Sequence, residues 1–233
     1  MAITMQNNGP SRIYESQSNR PLIEMLKPGS LRILDIGCGS GGNASLIRGR
    51  CSSSEIVGVT YSAKEAEMAK RHMTHVWIFD LEGDIPTGLS DQRFDVLICS
   101  HVLEHLRDPA LTLARLVEML RAGGQVLIAV PNVLSWRMRL QFLFGKFEYQ
   151  SGGVLDDTHL RFFTYNTSDG LLSQSPNLWI EHKIATGSVP LWLLRRHFLS
   201  EKWCRHIDRY GCRKWPNLFG NQILISAIKS KEE

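Results

Sequence analysis

Along the first part of the chain, short apolar runs rich in β-branched residues alternate with segments whose apolar positions recur every three or four residues. Residues 31–36, 55–60, 76–79, 94–100 and 125–130 read as five successive strands. A helix follows the first of them from near Gly42. Ser62-Ala63-Lys64-Glu65 spells a capping box, in which the serine hydroxyl takes an orphan N–H and the glutamate reaches back. Asp108-Pro109 opens another helix, with the aspartate as cap and proline at the first helical position. Leu113, Leu116, Val117 and Leu120 repeat at helical spacing and mark its core face, and Gly123-Gly124 ends it. Such alternation predicts a parallel α/β sheet. After Val130 the regularity stops. Residues 131–175 read as a long connection containing Trp136, Arg137 and Arg139, and only 178–184 and 222–228 return to a strand pattern. The stretch 187–220 between these two is far longer than a hairpin turn requires, and loops of that length are more often functional than idle.

Composition narrows the picture. The 233 residues suffice for one domain spanning 1–233, with insertions at 131–175 and 187–220. No apolar run is long enough to cross a membrane, and the polar first ten residues lack a signal-peptide pattern. Cys38, Cys51, Cys99, Cys204 and Cys212 are scattered, without metal-ligand spacing, which predicts a reduced, cytoplasmic protein. The net charge of +4 is uneven: residues 187–220 hold seven basic side chains against Glu201 and Asp208. They also hold Trp192, Trp203 and Trp215. That segment is open to three readings: an amphipathic cap helix over residues 190–199 with a solvated basic face, a pocket for an anionic or glycan-linked acceptor, or a surface for acidic lipid headgroups. The small charge excess and the lack of a binding module argue against nucleic acid.

The candidate chemistry begins at Ile33-Leu34-Asp35-Ile36-Gly37-Cys38-Gly39-Ser40-Gly41-Gly42, an apolar strand that meets a glycine-rich turn. Gly37, Gly39 and Gly42 match the dinucleotide spacing G-x-G-x-x-G, a weak signal by itself. Asp35 would not help to receive a pyrophosphate, but it suits a ligand end carrying positive charge, such as an ammonium or a sulfonium. Phe79-Asp80-Leu81-Glu82 ends a third apolar run in an acid. Then come Phe94-Asp95-Val96-Leu97, Leu103-Glu104-His105-Leu106-Arg107-Asp108-Pro109 and Leu120-Arg121-Ala122-Gly123-Gly124. In this combination residues 30–165 resemble class I S-adenosylmethionine-dependent methyltransferases of the quinone-methyltransferase-like branch.

The resemblance implies a Rossmann-like fold: a seven-stranded, mostly parallel sheet with helices on both faces and an antiparallel last strand. It implies S-adenosylmethionine as cofactor and S-adenosylhomocysteine as product. Asp35 with the Gly37-Cys38-Gly39 and Gly41 loop would pack against the methionine part and ribose. Asp80 and Leu81 would meet the adenine, and Ser100 and His101 would line the floor near the sulfonium. Thr60, followed by Tyr61, departs from the pattern, because the family places Asp or Glu there to hold the ribose diol. A threonine hydroxyl can donate only one such bond.

Methyl transfer from a sulfonium is an in-line displacement, so the protein supplies mainly orientation. A hydroxyl acceptor also needs a base, for which histidine is suited. His159, in Asp157-Thr158-His159-Leu160-Arg161-Phe162-Phe163-Thr164, resembles a D-x-H-x-R-x-F-T block of this branch; it reads as base or acceptor contact, or as a tie to a backbone carbonyl. Asp157 is a candidate to orient it. His105 is a second candidate. His101 and His105 share the spacing of H-E-x-x-H, but the glutamate falls at the wrong offset, so no metal is expected. The expected activity is methyl transfer to an oxygen of a small-molecule, sugar or lipid-linked acceptor. Two alternatives stay open: N-methylation, and a non-catalytic accessory protein, since Pro131-Asn132 with the following Trp-Arg-x-Arg resembles a methyltransferase-fold partner of an acyltransferase. An NAD enzyme would want an acid at Thr60, and that counts against it.

Overall fold

In the computed structural model, which describes residues 18–29, 31–190, 195 and 198–230, the strands are β1 (Arg32–Ile36), β2 (Glu55–Thr60), β3 (His75–Ile78), β4 (Phe94–Ser100), β5 (Leu120–Pro131), β6 (Leu178–Gly187) and β7 (Gly220–Lys229). They form one sheet in the order β3-β2-β1-β4-β5-β7-β6. β1 to β5 pair in parallel, while β7 runs antiparallel to both neighbours. This is the mostly parallel, Rossmann-like arrangement expected. The order reverses between β1 and β4, which opens a crevice beyond their carboxyl ends.

Alternation along the strands divides the core into two layers. Ile33, Val96, Ile98, Leu127 and Leu224 face α1 (Arg20–Ile23), α2 (Gly42–Arg50) and α3 (Ala63–Ala69). Leu34, Ile36, Leu97, Val126, Ile128 and Ile225 face the opposite layer, formed with α4 (Thr87–Ser90) and α5 (Pro109–Val117). Leu113 and Leu116 of α5 are fully buried, each worth on the order of 2 kcal/mol by removal from water. Asp108 caps this helix by accepting from the Leu111 N–H at 3.0 Å.

The α5 terminus differs from expectation. The helix stops at Val117, so Leu120 is not on its face but opens β5, paired with Phe94. Gly123-Gly124 therefore lies inside β5, where Gly123 takes a φ of 76°. The stop signal comes from far along the chain: the buried ammonium of Lys229 donates to the carbonyls of Val117 and Leu120, both at 3.0 Å. A cation there also suits the negative end of the helix dipole.

The connection after β5 contains α6 (Trp136–Leu143) and a 3-10 segment (Ser168–Leu172). Trp136 Nε1 donates to the Ser188 carbonyl at 3.0 Å, tying α6 to the end of β6. Beyond β6 come α7 (Glu201–Lys214) and α8 (Pro216–Phe219). Most of the amphipathic segment 190–199 lies outside the described residues. Asn132 locks the connections together, its side-chain amide donating to the Gly220 and Asn217 carbonyls at 2.8 and 3.1 Å.

Candidate active site

Beyond the carboxyl ends of β1, β2 and β4 lies a cleft of about 950 Å³. At its first end, Gly37 and Gly39 turn the chain with φ of 67° and 50°, a region that favours glycine. Gly37 also has no room for a side chain, since a Cβ there would lie 2.8 Å from Val102 Cγ2. Gly41, at φ 88°, stands at the N-cap of α2 and lies outside the cleft wall. Cys38 does not face the cleft either. Its thiol is buried in the core against Gly58, and burial keeps it neutral. What Cys38 offers the turn is its backbone, whose N–H bonds to the Val59 carbonyl at 2.9 Å.

Asp35 sits one layer below this loop, on the face toward α2. It is fully buried, and apart from the Asn43 amide beside it no polar side chain among the described residues compensates its carboxylate. Burial raises its pKa from 3.8 to about 7, with the nearby Asn43 amide opposing the rise. Asn43 itself lines the cleft. Such an acid is ionised more easily when a positive group arrives above it.

At the end of β2, Thr60 is almost wholly buried and its hydroxyl donates to Glu65 Oε2 at 2.6 Å. The same hydroxyl oxygen accepts the Ser62 N–H at 3.3 Å, while the Ser62 hydroxyl accepts the Glu65 N–H at 3.4 Å. The glutamate of the expected capping box thus supports the cap through Thr60. Thr60 does line the cleft, but its one donor is committed inside the protein. The consequence is that Glu65, buried and lining the cleft, places a carboxylate where β2 ends. Tyr61 stands exposed at the rim. Asp80 and Leu81 line the far wall, and Asp80 Oδ1 accepts the Glu82 N–H at 3.0 Å.

The other end of the cleft is built on the turn after β4. Ser100 and His101 continue its floor; His101 adopts a left-handed φ of 53°. His101 Nδ1 lies 3.2 Å from Glu104 Oε1, and its Nε2 lies 2.9 Å from Gln222 Oε1. Burial lowers the His101 pKa, but the hydrogen bond and charge of Glu104, with Gln222, more than offset this, so the net shift is upward. Gln222 also accepts from Asn19, whose N–H reaches Asn43, so one polar chain joins the two ends of the cleft.

A 3-10 turn, Leu103–His105, then buries Glu104 completely and presents His105. The Glu104 carbonyl accepts the N–H groups of Leu160 and Arg161 at 2.9 and 3.0 Å. Those bonds bring in the 152–163 loop and set His159 Nε2 3.9 Å from Glu104 Oε1. The Arg161 guanidinium anchors the same loop on the Arg107 carbonyl. His105 and His159 pack edge to face, ring centroids 4.7 Å apart. His159 Nδ1 is tied to the Val154 carbonyl at 3.0 Å, which leaves Nε2 turned toward Glu104. His105 has its pKa lowered by burial and by His159, against the pull of Glu104.

One expected orienting contact is corrected. Asp157 is exposed and outside the cleft wall, and Val154 rather than Asp157 receives the His159 Nδ1 proton. The buried acid is its neighbour Asp156, which accepts from the Thr158 hydroxyl at 2.5 Å; Thr158 in turn holds His105 Nδ1 at 2.9 Å. Burial raises the Asp156 pKa, but the bonds from Thr158 outweigh it and keep the acid ionised. Sequence reasoning gives no role in the cleft to Glu65, Glu104 or Gln222. Glu104 was legible as a lone acid between two histidines, and Glu65 as an acid five residues past Thr60. Gln222 carries no local signal.

The Methyltransferase domain family matches residues 12–174 of the chain. Among curated proteins the chain is 36% identical over 105 residues to a ubiquinone biosynthesis O-methyltransferase of Chelativorans sp. (strain BNC1), covering 44% of this chain and 41% of that one. It is 29% identical over 126 residues to a trans-aconitate 2-methyltransferase of Methylobacterium radiotolerans, covering 52% and 48%. The matched stretch spans about half or less of the length of these relatives. A SAM-dependent methyltransferase structure from Archaeoglobus fulgidus superposes with a TM-score of 0.57 at 22% identity, covering 86% of this chain and 87% of that one. One from Mesorhizobium loti does so with a TM-score of 0.59 at 19% identity, covering 90% and 96%. With the strand order and the glycine turn already in place, these matches show that the chain belongs to the methyltransferase domain family, on the class I S-adenosylmethionine-dependent methyltransferase fold.

Proposed function

We propose that the protein transfers the methyl group of S-adenosylmethionine to a hydroxyl oxygen of a small-molecule, sugar or lipid-linked acceptor. The observation that carries this reading is that one continuous cleft joins an end lined by Gly37, Gly39, Asn43 and Glu65, with Asp35 buried beneath it, to a Glu104–His105–His159 end. At the first end the buried Asp35 complements the positive methionine part, with Asn43 between. Glu65 takes the ribose hydroxyls in place of the acid missing at Thr60. Asp80 and Leu81 receive the adenine. The sulfonium then points past Ser100 and His101 toward the second end.

The acceptor oxygen attacks the methyl carbon in line. The C–S bond breaks onto sulfur, which leaves as the neutral thioether, and the hydroxyl proton must be removed. His159 Nε2 is suited to receive it, because its other nitrogen is held by Val154. The Pro131-Asn132 pair does not favour the accessory-protein reading: Asn132 is fully buried and occupied in holding α8 and β7. All five cysteines are free, in keeping with a reducing, cytoplasmic setting. No helix among the described residues is long and apolar enough to cross a membrane. The test is radiolabelled methyl transfer from S-adenosylmethionine to a panel of hydroxyl and amine acceptors, with His159→Ala beside the parent. Transfer to hydroxyls, lost in the variant, supports the reading. Transfer to amines alone, or none with any acceptor, overturns it.

A further inference from the structure

The acceptor end holds more ligating power than proton transfer requires. Glu104, His105 and His159 each offer a ligand atom, and these atoms lie within 4.8 Å of one another. Both imidazoles are held by their Nδ1 atoms. His159 Nδ1 donates to the Val154 carbonyl at 3.0 Å. His105 Nδ1 lies 2.9 Å from the Thr158 hydroxyl, which passes its own proton to Asp156 and so accepts from the ring. The His159 ring therefore turns its Nε2 lone pair toward Glu104, and the His105 ring packs edge to face against it. A carboxylate or carbonyl on the far nitrogen is the arrangement that orients histidines for a metal. An independent observation points the same way: Glu104 is fully buried, one oxygen lies near His101 and His159, and Oε2 has no hydrogen-bond partner. A buried carboxylate with an unsatisfied oxygen and two imidazoles whose ligand atoms lie within 4.8 Å of it is a donor set for a cation.

We propose that Glu104, His105 and His159 bind a divalent cation, of the borderline type that accepts mixed nitrogen and oxygen ligands, such as Zn²⁺ or Mn²⁺. Three protein ligands leave coordination positions open toward the cleft, where the acceptor hydroxyl enters. The inference rests on the methyl-transfer reading for what occupies those positions. The hydroxyl oxygen binds the cation and releases its proton to water, which leaves a metal-bound oxyanion. A lone pair of that oxygen then attacks the methyl carbon, and the C–S bond electrons return to sulfur. With the cation bound, His159 Nε2 serves as a ligand and water takes the proton; in the metal-free protein the same lone pair takes it, as in the reading above. The H-E-x-x-H comparison did not reveal this set, because the third ligand comes from the 152–163 loop rather than from the same helix.

The full-length chain, stripped with a chelator, is titrated calorimetrically with Zn²⁺ and separately with Mn²⁺, and with S-adenosylhomocysteine in parallel. One equivalent of cation should bind. The affinity should fall at least about tenfold in Glu104→Gln and in His159→Ala, with S-adenosylhomocysteine binding unchanged. His105→Ala, at a less buried ring, serves if either of those variants fails to fold. S-adenosylhomocysteine binding without saturable cation binding, or cation binding that none of the variants weakens, overturns the metal centre and leaves the methyl-donor reading standing. Saturable, variant-sensitive cation binding without S-adenosylhomocysteine binding would sustain the centre and overturn the methyl-donor reading instead.

Discussion

The two ends of the cleft are built in different ways. The proposed donor end is made from strand termini and the turns that directly follow them: Asp35 near the end of β1 and the glycines after it, Thr60 at the end of β2 and Glu65 beyond it, Asp80 after β3. Its shape comes largely from backbone, and each contributor is a few residues from its strand. The acceptor end is assembled across the chain. Glu104 holds the 152–163 loop through two backbone bonds, Asn132 reaches α8 and β7, and Gln222 of β7 bonds His101. A fixed methyl donor can be met by local, backbone-defined geometry. An acceptor site is free to differ between relatives because it is carried on long connections.

Substitutions that strike one end and spare the other test this division. The largest effect is expected at Gly37. Alanine there would force a strained left-handed residue against Val102. S-adenosylhomocysteine binding should be lost by calorimetry, and the melt should show a stability loss of about 2 to 4 kcal/mol. His159→Ala should strike the acceptor end alone. Turnover falls by about 10² to 10⁴ while S-adenosylhomocysteine affinity is retained; a loss under about tenfold would remove His159 from the chemistry.

Asp35→Asn should separate stability from binding. An acid whose pKa is raised in the folded protein binds more protons folded than unfolded, so stability falls as pH rises from about 4 to about 7. The amide avoids that cost and should raise stability at pH 8 by roughly 2 to 4 kcal/mol. Cofactor affinity should fall in the same variant. In the parent, affinity should increase with pH up to about 7, where Asp35 becomes ionised, and this rise should vanish in Asp35→Asn. The smallest effect belongs to Asp157→Asn: turnover within about twofold of the parent, since the exposed side chain does not orient His159. A loss comparable to that of His159→Ala would restore the Asp157–His159 pairing.

How much of this was legible in the sequence follows the same division. β2 and β4 begin and end where their apolar runs do, and the Asp108-Pro109 cap forms as its residues dictate. These are local matters of periodicity and capping. The end of α5 is not legible locally, because Lys229, remote in sequence, takes the Val117 and Leu120 carbonyls. The neighbours of Cys38 line the cleft, but successive side chains of a turn point in different directions, and its thiol enters the core. The place of Glu104 in the site is not legible locally, for the opposite reason. Its role depends on a loop that no local pattern brings beside it, and only the bonds from Leu160 and Arg161 to its carbonyl do so.

The most direct test is calorimetric titration of the full chain with S-adenosylhomocysteine, with NAD(H) and NADP(H) in parallel. A cleft in which Asp35 and Glu65 receive the methyl donor should bind S-adenosylhomocysteine in the micromolar range, weaken on Asp35→Asn, and ignore the dinucleotides. Binding of a dinucleotide, or S-adenosylhomocysteine binding that Asp35→Asn leaves untouched, would contradict that assignment.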